Sequence, residues 1–79
     1  MKPMYLSQEQ FDKLSSELAQ MKREDRTRVI RDIAEAREKG DLSENAEYHA
    51  AKEKQVLVER KIARLEETLT LAATLNAQV

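Results

Sequence analysis

At 79 residues, with fourteen Lys/Arg against fifteen Asp/Glu and a net charge of −1, the chain is one domain at most and is short for a self-sustaining core. One Gly, one Pro, no Trp, one Phe and two Tyr leave little material for turns or strands, and 37% charged residues point to an all-helical protein. The absence of Cys excludes disulfides, thiolate metal sites and Cys nucleophiles; no apolar run approaches the roughly 20 residues of a membrane span, so a cytoplasmic protein is expected.

After a short extended lead to Leu6, Ser7 and Gln10 form the Ser-x-x-Gln pattern of a capping box. Phe11, Leu14, Leu18 and Met21 then follow at helical spacing, Asp25 and Arg28 interrupt the stripe, and Val29, Ile33 and Ala36 resume it. The helix is expected over about 8–39, ending at Gly40, where a left-handed residue is needed, with Lys39 on the negative end of the dipole. A second helix is expected over about 43–76. Its heptad seam runs through Tyr48, Ala51, Gln55, Val58, Ile62, Leu65, Leu69, Ala72 and Asn76. Surface pairs four apart, such as Glu9–Lys13, Glu24–Arg28 and Glu35–Lys39, support both arms.

A chain that folds back once places facing residues at numbers with a constant sum. Phe11 with Ala72, Leu14 with Leu69, Leu18 with Leu65 and Met21 with Ile62 add to 83, whereas Ile33 with Ala51 and Ala36 with Tyr48 add to 84. The fold expected is therefore a long antiparallel two-helix coiled-coil hairpin with its turn at residues 40–44 and arms of roughly 45–50 Å. The change of one in the sum requires an irregularity between Met21 and Val29, expected as a bend or loosened turn near Asp25–Thr27 with Thr27 as a new N-cap. Leu57, Leu71, Leu75 and Val79 lie off the seam, so weak self-association or a further domain is expected at the open end.

The charges are unevenly spread. Residues 20–39 carry seven Lys/Arg against five Asp/Glu, residues 41–47 carry Asp41, Glu44 and Glu47 with no cation, and residues 52–64 carry five cations against two acids. Asp41 and Glu44, three apart, fall on one side of a helix start. One reading makes them a capping box that complements the helix dipole. The other makes them ligands: two carboxylates supply part of an octahedral Mg²⁺ site, the remainder coming from another protein, waters or phosphate. His49 alone makes no zinc site, and no Ser–His–Asp arrangement or glycine-rich phosphate loop is present.

The run from Ile33 to Gln55, and above all Gly40-Asp41-Leu42-Ser43-Glu44-Asn45-Ala46-Glu47-Tyr48, resembles the GreA branch of the bacterial transcript-cleavage factors. The resemblance implies an N-terminal coiled-coil hairpin that enters the secondary channel of bacterial RNA polymerase. There its tip stimulates Mg-dependent hydrolysis of backtracked nascent RNA by the polymerase, so that the chain is no enzyme itself. The family's tip acids match Asp41 and Glu44, which would hold Mg²⁺ jointly with the polymerase and not alone, with Ser43 beside them. Arg37 and Lys52 match expected contacts to polymerase or the RNA 3′ end, and Asn45, Glu47 and Tyr48 lie close enough to the tip to join them. The family's C-terminal globular domain is absent from these 79 residues, and Thr27 stands where a family proline is expected. Two alternatives stay open: a channel-binding regulator without cleavage activity, and a structural or chaperone-like coiled-coil module.

Overall fold

Ser7 starts the first arm as its pattern predicts. Its hydroxyl accepts the Gln10 backbone N–H at 3.1 Å, and its own N–H donates to the Gln10 side-chain oxygen at 3.0 Å, which satisfies donors that the first helical turn leaves open. A computed structural model describes residues 5–40 and 44–77. Helix α1 spans Gln8–Gln20, a π-turn spans Met21–Asp25, α2 spans Arg26–Glu38 and α3 spans Ala46–Ala77. No strand occurs among the described residues, and both α1 and α2 pack on α3. The molecule is an all-helical antiparallel hairpin, with Cα extents of 56 × 23 × 13 Å.

The irregularity inferred from the residue sums is present as a loosened turn, the π-turn that ends at Asp25. The cap expected at Thr27 does not form, because Thr27 lies inside α2. Asp25 and Arg26 keep helical dihedrals, and the Arg26 N–H donates to the Met21 carbonyl five residues back. A π-turn takes up one residue more than an α-turn while the helix axis continues. Residues on its N-terminal side are therefore numbered one lower, relative to their facing partners, than an uninterrupted helix would give. This is why the sum is 83 up to and including Met21 and 84 at Ile33 and Ala36.

The seam carries the burial. Val29, Ile33 and Ala36 on α2 and Ala51, Ile62, Leu69 and Ala72 on α3 are buried. Val29, Ile33 and Ala51 form one cluster, against which Tyr48 and Val58 pack. On α1 no residue is fully buried; Phe11, Leu14 and Leu18 there, and Met21 in the π-turn, are half-buried. Of the off-seam residues, Leu57 is 55% exposed while Leu71 and Leu75 are half-buried; Val79 lies outside the described residues.

Two ion pairs tie the arms beside the π-turn. Arg26 donates from Nε and Nη2 to both carboxylate oxygens of Glu59, at 2.8 and 2.7 Å, and Lys22 lies 3.6 Å from Glu66. The bidentate hydrogen bonds from Arg26 hold the Glu59 carboxyl below the usual carboxylate range.

The first arm ends as Gly40 predicts. The Lys39 N–H closes a tighter final turn onto the Ala36 carbonyl at 3.2 Å, and Gly40 takes φ of 130°. A side chain here would meet no neighbouring atom within 4 Å, so backbone torsion, not space, selects glycine.

Candidate functional site at the hairpin tip

The second arm begins at Ala46, three residues later than expected, and Asn45 caps it. The Asn45 side-chain oxygen accepts the Tyr48 backbone N–H at 3.0 Å. Its amide nitrogen donates to the Ala36 carbonyl at 2.6 Å. One side chain thus satisfies a donor at the start of α3 and adds a second, shorter bond to a carbonyl near the end of α2 that also accepts the Lys39 N–H. Glu44 is therefore not at the third helical position in which a capping box would place it, but before the cap. Asp41 and Ser43 lie outside the described residues. Glu44 stands just before the cap, exposed, and no hydrogen bond or ion pair holds it among the described residues.

Lys39 departs from its expected partner. Instead of pairing with Glu35 one turn back, it crosses the turn to Glu47, with Nζ 2.8 Å from the carboxylate oxygen. That hydrogen bond holds the ammonium above the ordinary lysine range, so a fixed positive charge stands beside the acidic tip. Charge balance alone hides this pair, since the two residues are eight apart and meet only once the chain has turned. Asn45 was legible as a strong N-cap type; nothing local ranked it above Asp41 and Ser43.

The remaining candidates fall one turn further from the tip. Tyr48 is half-buried against the Val29–Ile33–Ala51 cluster, with the Arg37 guanidinium 6.0 Å from its ring centroid and the His49 ring meeting it edge-on at 5.6 Å. Lys52 donates to Gln55 at 3.2 Å. Arg37 and Lys52 line the same shallow groove between the arms, floored by Ile33 and flanked by Ile30 and Ala34. The structure therefore brings the two basic candidates together on one side of the hairpin. The opposite groove is lined by Asp32, Glu35, Lys39, Glu47 and Lys54 with Ala36, Ala50 and Ala51, a mixed-charge surface. Among the described residues no group of three or more His, Cys, Asp or Glu side chains could hold a metal ion, and no helix is long and apolar enough to cross a membrane.

A slender hairpin, a tip acid outside the capping network and two cations on one flank are the features to set beside known proteins. The family model for the N-terminal part of transcription elongation factors GreA and GreB matches residues 4–73. The chain belongs to that family. It is 51% identical over 75 residues to transcription elongation factor GreA of Amoebophilus asiaticus, covering 95% of this chain and 48% of that protein. It is 56% identical over 66 residues to the GreA of Cereibacter sphaeroides, covering 84% and 44%, and 54% identical over 68 residues to that of Halorhodospira halophila, covering 86% and 40%. The chain thus spans less than half the length of these curated family members. No solved structure matches it.

Proposed function

We propose that this hairpin is the arm of a transcription elongation factor that reaches into the secondary channel of bacterial RNA polymerase and stimulates hydrolysis of backtracked nascent RNA. The observation that carries the reading is the placement of Glu44. It is exposed at the end of a rod 56 Å long, outside the helix that follows it, while Asn45 does the capping. A carboxylate so placed is available to a neighbouring site. Membership of the GreA/GreB family supports the same reading.

The donor chemistry suits a hard cation, which takes carboxylate oxygens and tolerates a shared coordination sphere. Asp41 and Glu44 would hold Mg²⁺ together with carboxylates of the polymerase. When bound, the ion supplies Lewis-acid activation of water and stabilises charge on the phosphoryl oxygens. The hairpin's own residues deliver and orient. The arms would carry the acids into the channel, Ser43, next to Glu44 in the sequence, would hydrogen-bond a phosphate oxygen or water, and Arg37 and Lys52 would offer positive charge to the RNA or the channel wall. In this scheme the chain stimulates the polymerase's own cleavage reaction, without being an enzyme, and works in the cytoplasm.

The test is transcript cleavage by stalled, backtracked polymerase, with this chain added alone and extended at its C-terminus. Asp41→Asn and Glu44→Gln should each abolish stimulated cleavage, with helicity by circular dichroism unchanged. Full cleavage in both variants would remove the metal role, and inhibition of transcription without cleavage would favour the non-cleaving regulator.

A further inference from the structure

Among the described residues, the Asn45 amide is the side chain that hydrogen-bonds both helix ends flanking the tip. Ala36 and Asn45 are nine residues apart, and the hydrogen bond between them closes a ring that contains Gly40 and Glu44. Its two partners have opposite electrical character. The Ala36 carbonyl belongs to the negative end of α2, and the Tyr48 N–H belongs to the positive end of α3. A neutral amide, with a donor and an acceptor on one short stem, matches both ends at once. A carboxylate in its place keeps the acceptor and turns a negative group toward a carbonyl; Ala keeps neither bond.

The geometry points to Asn45 as a positioning residue: by stapling the two helix ends together it fixes the backbone that carries Glu44, and so presets the acid that the proposed cleavage mechanism presents. This rests on the reading of Glu44 as a tip acid. The physical basis is loop entropy. A turn tied at its ends has fewer conformations to lose when it meets its target, and displacement of a catalytic group by about an ångström costs up to a hundredfold in rate. Lys39–Glu47 also spans the turn, but it joins two long, exposed side chains, a weaker restraint on backbone than a short amide held at 2.6 and 3.0 Å.

Asn45→Asp separates the two functions of the amide, because aspartate caps α3 as well as asparagine does and loses the bond to Ala36. Backbone ¹⁵N relaxation of the wild-type chain and of this variant reads the staple without polymerase. The Glu44 amide order parameter should fall from the rigid range to below about 0.6, with the amides of Tyr48 and the rest of α3 unchanged. An unchanged Glu44 order parameter would overturn the staple. In the cleavage assay, Asn45→Asp should lower the maximal stimulated rate roughly ten- to a hundredfold, with little change in the protein concentration giving half-maximal effect. A wild-type maximal rate in Asn45→Asp, or a loss confined to the half-maximal concentration, would overturn the positioning role. Failure of the wild-type chain, in its extended form, to stimulate cleavage would instead overturn the proposed function, while the relaxation result would still decide whether the amide orders Glu44.

Discussion

The two halves of the hairpin hold together in different ways. Between the π-turn and the tip, α2 buries Val29, Ile33 and Ala36, and the cross-arm bonds Arg26–Glu59, Asn45–Ala36 and Lys39–Glu47 are 2.6 to 2.8 Å long. Toward the open end, α1 buries no residue completely and makes no ion pair to α3 among the described residues; the nearest, from Lys22 in the π-turn itself to Glu66, is 3.6 Å long. Yet the larger apolar side chains of the first arm, Phe11, Leu14 and Leu18, lie in the looser half. In that half the burial sits on the second arm instead: Ile62, Leu69 and Ala72 are 1%, 8% and 0% exposed, while Phe11, Leu14 and Leu18 on α1 stay half-exposed, as expected at the flank of a two-helix layer that no third element covers.

The sharpest way to break this comparison is to remove one residue. Deleting Arg23 takes out the extra residue of the π-turn, so a continuous α-helix can form with both registers kept, and the variant should remain folded with helicity near that of the parent. Deleting Ala34 instead rotates the buried positions before it by about 100° relative to the turn, and this chain should lose its cooperative transition. Equal thermal melts for the two deletions would remove the register account.

Truncations come next. Ile33→Ala in the tight half should cost about 2–4 kcal/mol by urea denaturation. Leu18→Ala in the looser half should cost roughly half as much, because less of its surface leaves water. The reverse order would show that the open end carries the stability.

The smallest effect concerns pH. The Glu59 carboxyl is held below its ordinary range by Arg26, so its stabilisation is fully present above that range and is lost as pH falls through the lowered value. The Tm difference between the wild-type chain and Glu59→Gln should therefore be present at neutral pH and vanish in acid. A difference that grows on acidification would contradict the assignment.

The hairpin, the glycine stop, the Ser7–Gln10 box and the change of register were legible in the sequence because each rests on a pattern within one arm or on arithmetic between arms. The loosened turn was legible too, but not its placement a few residues earlier at Met21–Asp25 nor the continuity of the helix through Thr27, since the sums bracket the extra residue only between Met21 and Val29 and Thr27 offers a capping hydroxyl. At the tip, Asp41, Ser43 and Asn45 are all residues that cap helices, and the choice among them is made by the Ala36 carbonyl, a tertiary contact no local rule contains. Lys39–Glu47 was hidden for the same reason. Of the site residues, Glu44, Asn45, Glu47, Tyr48, Arg37 and Lys52 gained positions from the structure; their roles remain those of the proposed function.

The hairpin is a single layer of two helices, only 13 Å across its Cα atoms in the thinnest direction. Nothing among the described residues stacks on its broad faces, so a substitution there disturbs no second layer among them. Surface chemistry along the shaft can consequently drift or be retuned toward a host while the seam and the stapled turn stay as they are. Such a part lends itself to grafting: the same shaft could carry a different nine-residue apex, provided the amide that ties its two ends is retained.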